Sequence, residues 1–150
     1  MLNIRTILVP VDFEEASDRA VQAAAELAKT FGAKVVLMHA YELPFYPYPG
    51  ASPVGTTDLP RAIRDAATAG LDVIAARIKD KVAVVETLLR AGPPADEILA
   101  VAKDKRVDLI VMGTHGRTGI AHALLGSIAE KVLRRAELPV LTVHAPRAPK

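Results

Sequence analysis

Short apolar segments alternate with segments of helical period along almost the whole chain. Five runs rich in Val, Ile and Leu predict β-strands, and four longer segments that space their apolar residues at helical intervals predict α-helices. The predicted strands are residues 6–11, 34–40, 82–89, 107–112 and 140–144, and the predicted helices are residues 17–31, 59–78, 94–103 and 127–135. Because helical crossovers join parallel strands, this order predicts an α/β fold in which helices cover both faces of a parallel sheet.

The length of the chain suits a single unit of this kind. At 150 residues the sequence has the size of one ordinary domain, and we expect residues 1–150 to form one. Residues 43–60 interrupt the alternation with several prolines and two glycines, which predicts a long loop. This loop follows the carboxyl end of the second predicted strand, the side of a parallel sheet on which ligands bind.

The composition excludes several classes of function. The formal net charge is only +2, with 19 basic and 17 acidic residues, so the chain lacks the basic excess of a dedicated nucleic-acid binder. Aromatic residues make up 4% and Trp is absent, which argues against base-stacking platforms. There are no cysteines, and the four histidines show neither His-x-x-x-His nor His-Glu-x-x-His spacing. We therefore expect no disulfide, no thiolate nucleophile and no metal site built by the protein.

The sequence also bears on location. No apolar stretch approaches the roughly 20 residues that a membrane-spanning helix needs. The first residues lack the charged and apolar regions of a signal peptide, because Asp12, Glu14 and Glu15 follow closely. We expect a soluble, cytoplasmic protein with no membrane partner.

A set of glycines follows the fourth predicted strand. Gly113 and Gly116 come directly after that strand, and Gly126 and Ser127 precede the last predicted helix. Glycine lets backbone N–H groups turn toward an anion, and the first turn of a helix adds free N–H donors and a positive dipole end. This order of strand, glycine-rich loop and helix indicates a cradle for phosphate groups.

Other interpretations of the glycines stay open. A glycine-rich loop after a strand is often a simple turn, and Ser127 followed by Glu130 has the spacing of a capping box, which needs no ligand. Two better-known phosphate cradles are excluded. The sequence has neither the Gly-Lys-Ser or Gly-Lys-Thr of a Walker A loop nor the Gly-x-Gly-x-x-Gly of a dinucleotide fold.

Taken together, these segments resemble the universal stress protein family. The nucleotide-binding branch of that family carries Gly-x-x-Gly, nine residues, then Gly followed by Ser or Thr, and the four residues named above satisfy every element. Residues 6–12 are similar to the family's first strand, which ends in an acidic residue, and residues 129–143 are similar to its last helix and strand. The resemblance spans nearly the whole chain except the segment at about 43–60.

The resemblance implies a five-stranded Rossmann-like sheet of the adenine nucleotide alpha hydrolase-like type, with strand order 3-2-1-4-5. Such sheets bind ligands where the strand order reverses, between strands one and four, and Asp12 and Gly113 lie at the ends of these two strands. The candidate nucleotide-binding residues are Pro10, Val11, Asp12, Ala40, Met112, Gly113, Thr114, Gly116, Arg117, Gly126, Ser127 and Ile128. No residue is assigned a catalytic role.

Several of these candidates have an individual expectation. By resemblance, Asp12 faces the adenosine, whereas its alternative role is to cap the helix that follows. We expect Thr114 and Ile128 to contribute backbone amides, and Met112 to flank the nucleoside. Arg117 either pairs with a phosphate or is simply solvated.

The resemblance further implies an adenine nucleotide ligand, ATP or AMP, with any Mg²⁺ held by the nucleotide's own phosphates. It predicts a regulatory homodimer that hydrolyses ATP slowly or not at all, paired through the last strand, Val140, Leu141, Thr142 and Val143. Two alternatives stay open, namely an ATPase that a partner activates and a nucleotide-free protein-interaction module.

Overall fold

The computed structural model describes residues 2–42, 58–114 and 125–146, the side chains of residues 58 and 59 excepted. Within these ranges, nine elements follow one another as alternating strands and helices. They are β1 (Thr6–Pro10), α1 (Glu15–Phe31), β2 (Lys34–Tyr41), α2 (Asp58–Ile78), β3 (Val85–Ala91), α3 (Pro94–Asp104), β4 (Leu109–Gly113), α4 (Ser127–Arg135) and β5 (Val140–Val143). Helix α2 begins at Asp58, so the last residues of the predicted 43–60 loop are helical.

The five strands form one parallel sheet in the order β3-β2-β1-β4-β5. Ile7 of β1 pairs with Val35 of β2 on one side and with Leu109 of β4 on the other. Strands β2 and β3 therefore lie on one side of β1, and β4 and β5 lie on its other side. This arrangement confirms the predicted α/β fold and strand order, and it places the point of reversal between β1 and β4.

A hydrophobic core lies on each face of the sheet. On one face, Ile7 and Val9 pack with apolar side chains of α1 and α2, including Ala24 and Ile74. On the other face, Leu8, Val36, Met38, Ile110 and Met112 pack with α3 and α4 through Ile98, Val101, Ala129 and Val132. Successive residues of each strand point to opposite faces, and both faces are apolar, which explains why the strands are almost continuous runs of Val, Ile and Leu.

The bounds of most elements agree with the sequence prediction, and β3 is the largest exception. The predicted strand began at Val82, but the observed strand is Val85–Ala91. The Val82 amide donates to the carbonyl of Ile78 and so belongs to the end of α2, while Val84 is 56% exposed. The apolar residues 82–84 therefore belong to the connection that leads into the strand, and the strand itself begins at Val85.

None of the helices in the described ranges combines the length and the apolar character needed to cross a bilayer.

Candidate functional site

A cavity of about 170 Å³ lies at the carboxyl ends of β1 and β4, where the strand order reverses. It occupies the face of the sheet that α3 and α4 cover, and both helices direct their first turns toward it, since Pro94, Ile98, Ser127 and Ile128 all line it. Two helix N-termini and two strand ends therefore converge on one space. This is the location at which doubly wound sheets hold their ligands.

The cavity gathers most of the residues that the sequence predicted. Ten of the twelve candidates line it, namely Pro10, Val11, Asp12, Ala40, Met112, Gly113, Thr114, Gly126, Ser127 and Ile128. The other two, Gly116 and Arg117, lie outside the described residues. The structure thus brings the candidates at the ends of β1 and β2 together with those at the end of β4 and the start of α4. Their contact with a nucleotide stays a prediction.

The walls of the cavity differ in chemistry. Met38, Ala40, Ile98, Met112 and Ala129 form an apolar wall that is continuous with the core beneath α3 and α4. The polar side chains of Asp12, Ser17, Thr114 and Ser127 belong to the strand ends and helix starts. A flat apolar group and a polar or charged group on the same ligand would thus each find a matching wall.

Asp12 occupies the turn between β1 and α1, and its side chain is exposed. Its Oδ1 atom accepts a hydrogen bond of 2.9 Å from the backbone N–H of Glu14, which closes a local turn ahead of α1. The predicted alternative, a cap of the helix that follows, is wrong, because no described side chain caps the start of α1. The residue at the N-cap position of α1 is Glu14 and not Asp12. Within the described chain, the second carboxylate oxygen of Asp12 makes no hydrogen bond and can accept one from a ligand.

Gly113 at the end of β4 has a packing role. A Cβ atom at this position would lie 2.7 Å from the backbone carbon of Ala16 and 2.8 Å from the backbone nitrogen of Ser17, closer than real Cβ contacts. The absence of a side chain lets β4 approach the first turn of α1 directly. The sequence interpretation attributed this glycine to a phosphate cradle, whereas contact between two backbones already requires it.

Thr114 connects β4, β5 and the start of α4. Its backbone N–H donates to the carbonyl of Val143 at 3.0 Å, and its own carbonyl accepts from the Gly126 N–H at 2.5 Å. Its hydroxyl lies 3.0 Å from Nδ1 of His144, and the residue is only 1% exposed. The prediction that Thr114 offers its amide to a ligand is therefore wrong, because that amide already completes the β4–β5 pairing.

The start of α4 lacks the predicted capping box. The N-cap residue is Gly126, Ser127 is the first helical residue, and among the residues that the structure describes no side chain caps this end of the helix. The Glu130 carboxylate instead binds the Arg134 guanidinium at 2.6 Å. The predicted reciprocal bonds between Ser127 and Glu130 are absent because the helix begins one residue earlier than a capping box requires, which makes Ser127 the first helical residue instead of the N-cap. The first N–H groups of α4 have no partner within the helix and border the cavity.

The comparison with known families agrees with this geometry. The profile of the universal stress protein family matches residues 3–144. This chain belongs to the universal stress protein family. The resemblance inferred from the glycine spacing and the terminal segments is thereby confirmed.

Individual relatives support the same assignment. Universal stress protein MJ0531 of Methanocaldococcus jannaschii is 33% identical over 144 residues, which cover 95% of this chain and 84% of the relative. The solved structure of universal stress protein UspA from Lactobacillus plantarum superposes with a TM-score of 0.83 at 25% identity, covering 94% of this chain and 98% of that one. A universal stress protein in complex with cAMP superposes with a TM-score of 0.68 at 29% identity, covering 95% and 98%.

In this universal stress protein, the cavity also contains residues that sequence reasoning missed. They are Ser17, Met38, His39, Pro94, Ile98 and Ala129. Pro94 and Ile98 had a usable indicator, because the third predicted helix follows a strand and its first turn must border the same edge of the sheet. Ser17 and His39 had none, since a serine within a helix and a histidine within a strand suit many surroundings.

A metal-binding cluster or a second cavity would be another kind of site in this universal stress protein. In the described ranges, no group of three or more His, Cys, Asp or Glu side chains is arranged to hold a metal ion. A second cavity of about 260 Å³ lies between α1 and α2 and is bordered by Glu15, Asp18, Arg19 and Arg77. It lies away from the strand ends, so the cavity between β1 and β4 is the candidate site.

Proposed function

We propose that this universal stress protein binds an adenine nucleotide, ATP or AMP, in the cavity between β1 and β4. We further propose that it acts in the cytoplasm as a regulatory homodimer of the stress response, each subunit a single domain of residues 1–150. The observation that carries the proposal is the convergence of the uncapped first turn of α4 and the Asp12 carboxylate on one cavity with an apolar wall. The cAMP complex of a relative of 29% identity supports a nucleotide as the ligand class.

Each part of a nucleotide has a matching wall in this proposal. The phosphates would lie at the start of α4, where the N–H groups of Ser127, Ile128 and Ala129 have no partner within the helix and the dipole favours negative charge. The Ser127 hydroxyl would add a further donor, since it caps nothing. Asp12 would accept from a hydroxyl of the ribose or the amine of the base, and the apolar wall with Ala40 would cover the base.

Magnesium in this proposal belongs to the ligand. The described residues that line the cavity include a single carboxylate, that of Asp12, and one of its oxygens already accepts from Glu14. Mg²⁺ commonly combines one or two carboxylates with phosphate oxygens and water. ATP would therefore bring Mg²⁺ mainly on its own phosphates, and AMP would bind without it.

Slow or absent hydrolysis follows from the same lining. Among the described residues of the cavity, Asp12 and His39 are the side chains able to take up a proton, and each already bonds a backbone group through one of its polar atoms. No described lysine or arginine borders the cavity to stabilise charge on a transferred phosphoryl group. Steady ATP turnover above about 1 s⁻¹, the range of working enzymes, would contradict the regulatory role and favour the ATPase alternative.

The homodimer would form through the outer edge of β5. In the described chain β5 pairs with β4 on one side, and Leu141 on this strand is 41% exposed. An unpaired strand edge with uncharged side chains invites pairing with a second chain. Light scattering during size-exclusion chromatography tests this, and a monomer at micromolar concentration would contradict it.

The direct test identifies the ligand that the purified protein carries. The protein is denatured, the released small molecules are analysed by mass spectrometry, and binding of ATP and AMP to the refolded or emptied protein is measured by calorimetry. Recovery of ATP or AMP near one per chain, reduced in a Ser127→Pro variant, would support the proposal. A protein that carries no nucleotide and binds neither compound would favour the nucleotide-free interaction module instead.

A further inference from the structure

The peptide unit between Val11 and Asp12 is held by side chains on both of its sides. Nδ1 of His39 lies 2.6 Å from the carbonyl oxygen of Val11, and the amide of Asp12 donates to the Ser17 hydroxyl at 3.3 Å. The same hydroxyl donates to the carbonyl of Glu14 at 3.1 Å. The carbonyl and the amide of one peptide are therefore both fixed immediately before the carboxylate that borders the cavity.

The histidine must donate in this contact. A backbone carbonyl can only accept a hydrogen bond, so Nδ1 of His39 carries a proton whichever charge state the ring adopts. The ring also contacts the ring of Phe13, with centroids 4.7 Å apart and planes inclined by 49°. His39 thus contacts the residues on either side of Asp12 and leaves the carboxylate itself untouched.

The turn that carries Asp12 needs such support. Phe13 has a φ of 65°, in the left-handed region that bulky residues rarely adopt. Its ring lies against α2 at Gly70, where a Cβ atom would come within 2.7 Å of the Phe13 Cε1 atom. A backbone in this conformation persists only when its surroundings hold it, and functional sites are where such strain collects.

We propose that His39 is a positioning residue for Asp12: by donating from Nδ1 to the Val11 carbonyl, it sets the Asp12 carboxylate at the edge of the cavity in the orientation that a bound adenine nucleotide requires. The inference rests on the proposed nucleotide binding. Ser17 supports the other side of the same peptide. Holding a recognition group in its bound orientation raises affinity, because less ordering remains to be done when the ligand arrives.

The experiment compares three substitutions at His39 with AMP as the probe, which avoids both magnesium and hydrolysis. His39→Asn keeps an N–H donor close to the position of Nδ1, His39→Gln moves the donor farther along the side chain, and His39→Leu removes it. We expect His39→Leu and His39→Gln to lower the affinity for AMP about five- to tenfold, the effect of one hydrogen bond. The affinity of His39→Asn for AMP should stay within about twofold of the wild type.

A double-mutant cycle with Asp12→Ala separates positioning from a general structural role. If His39 acts through Asp12, His39→Leu lowers the affinity for AMP when Asp12 is present. The same substitution then has no further effect on that affinity in the Asp12→Ala background. A role confined to joining β1 and β2 would lower the melting temperature and weaken AMP equally in both backgrounds, which would overturn the proposal. Equal affinity of wild type and His39→Leu for AMP would overturn it as well. If His39→Leu does not fold, the comparison of His39→Asn with His39→Gln carries the test.

Amide hydrogen exchange makes the result independent of the ligand. The N–H groups of Asp12 and Glu14 bond to Ser17 and Asp12 inside the turn, so they report whether the turn is held. We expect faster exchange of both in His39→Leu and unchanged exchange in His39→Asn. If the wild type binds neither AMP nor ATP, the proposed function fails. The amide exchange rates of Asp12 and Glu14 then decide separately whether His39 holds the turn. Unchanged rates in His39→Leu would show that His39 does not hold it.

Discussion

Gly113 and Ala16 lie backbone against backbone, so that a Cβ atom on Gly113 would be 2.7 Å from the backbone carbon of Ala16 and 2.9 Å from its Cβ. This contact joins the end of β4 to the first turn of α1. Neither backbone can yield without moving a whole element. A residue that the family pattern assigns to ligand binding is thus also fixed by the packing of β4 against α1.

Gly113→Ala should destabilise the protein by about 2–3 kcal/mol without any nucleotide, the upper part of the range expected for overpacking, because the new Cβ would meet backbone atoms. Gly32→Ala is the matched control: its φ of 68° is strained for alanine, but no atom lies within 4 Å of the new Cβ. The control should lose only about 1 kcal/mol. Urea unfolding of both variants measures the difference, and a Gly113→Ala variant as stable as Gly32→Ala would contradict the contact.

Asp12→Asn should separate recognition from the local turn. The asparagine oxygen can still accept from the Glu14 N–H, so the free energy of unfolding should change by less than about 0.5 kcal/mol. Loss of the charged acceptor should lower the affinity for AMP by about tenfold, as expected for a hydrogen bond to a charged group. Calorimetry measures the affinity of each variant for AMP and for adenosine. Asp12→Ala is the comparison that also loses the turn, and wild-type affinity in Asp12→Asn would remove Asp12 from the site.

Two substitutions at Ser127 should divide the phosphate contacts. Ser127→Ala removes the hydroxyl alone. Ser127→Pro also removes the first N–H of α4, at a position where proline suits the helix and the preceding Gly126 is already extended, with a φ of −57° and a ψ of 150°. Neither change removes a capping bond, so stability should stay within about 0.5 kcal/mol. Affinity for AMP should fall in the order wild type, Ser127→Ala, Ser127→Pro, while adenosine binding changes little. Equal losses for AMP and adenosine would contradict phosphate binding at α4.

Thr142→Pro should separate the dimer from the fold. The carbonyls of Pro139 and Val143 accept from β4, so odd-numbered residues of β5 bond inward and the Thr142 N–H faces the free edge. Proline at this position removes an outward donor and no bond to β4. We expect monomers with a near-native circular dichroism spectrum, and Thr142→Val, which keeps the N–H, should stay dimeric. A dimer that survives Thr142→Pro would place the interface elsewhere.

The ion pair between Glu26 and Lys81 predicts a pH dependence of stability. The Lys81 ammonium donates to the Glu26 carboxylate at 2.6 Å, which lowers the pKa of Glu26 in the folded protein, and the same contact raises the pKa of Lys81. The contribution of Glu26 is therefore present above its ordinary pKa and is lost as the pH falls through its lowered value. Glu26→Gln should melt below the wild type near neutral pH, and the gap should close as the pH is lowered toward about 2. A gap that is constant with pH would exclude the pair as its cause.

The fold was predictable to the extent that apolar pattern determines it. Helix α4 was predicted at its observed bounds, and Gly32 ends α1 in the left-handed conformation expected of a C-cap glycine. Strand β3 was misplaced because it lies at the edge of the sheet and carries two charged residues, Glu86 and Arg90. Glu86 pairs with Lys105, which directly follows α3, and Arg90 pairs with Glu97 of α3. Charges in a strand weaken the apolar pattern, and their partners are visible only after the chain has folded.

The site was predictable where a motif or the reversal of the sheet marks it. Asp12 and Gly126 were found in this way. The capping role of Ser127 was not correctly predicted, because the choice between Gly126 and Ser127 as the N-cap depends on a single residue of helix length. His39 was missed for another reason: its contact with Val11 joins residues 28 positions apart, and local sequence holds no trace of it.

The hydrogen bond from the Gly126 amide to the Thr114 carbonyl joins two residues of the framework, one before and one after residues 115–124. A stretch of chain that departs and returns at the same place can be lengthened, shortened or exchanged in evolution without shifting the strand and helix that flank it. Gly116 and Arg117 belong to that stretch, whereas Asp12 and Ser127 belong to the framework. Insertions, deletions and exchanges in residues 115–124 would therefore leave Asp12 and Ser127 in their places at the cavity.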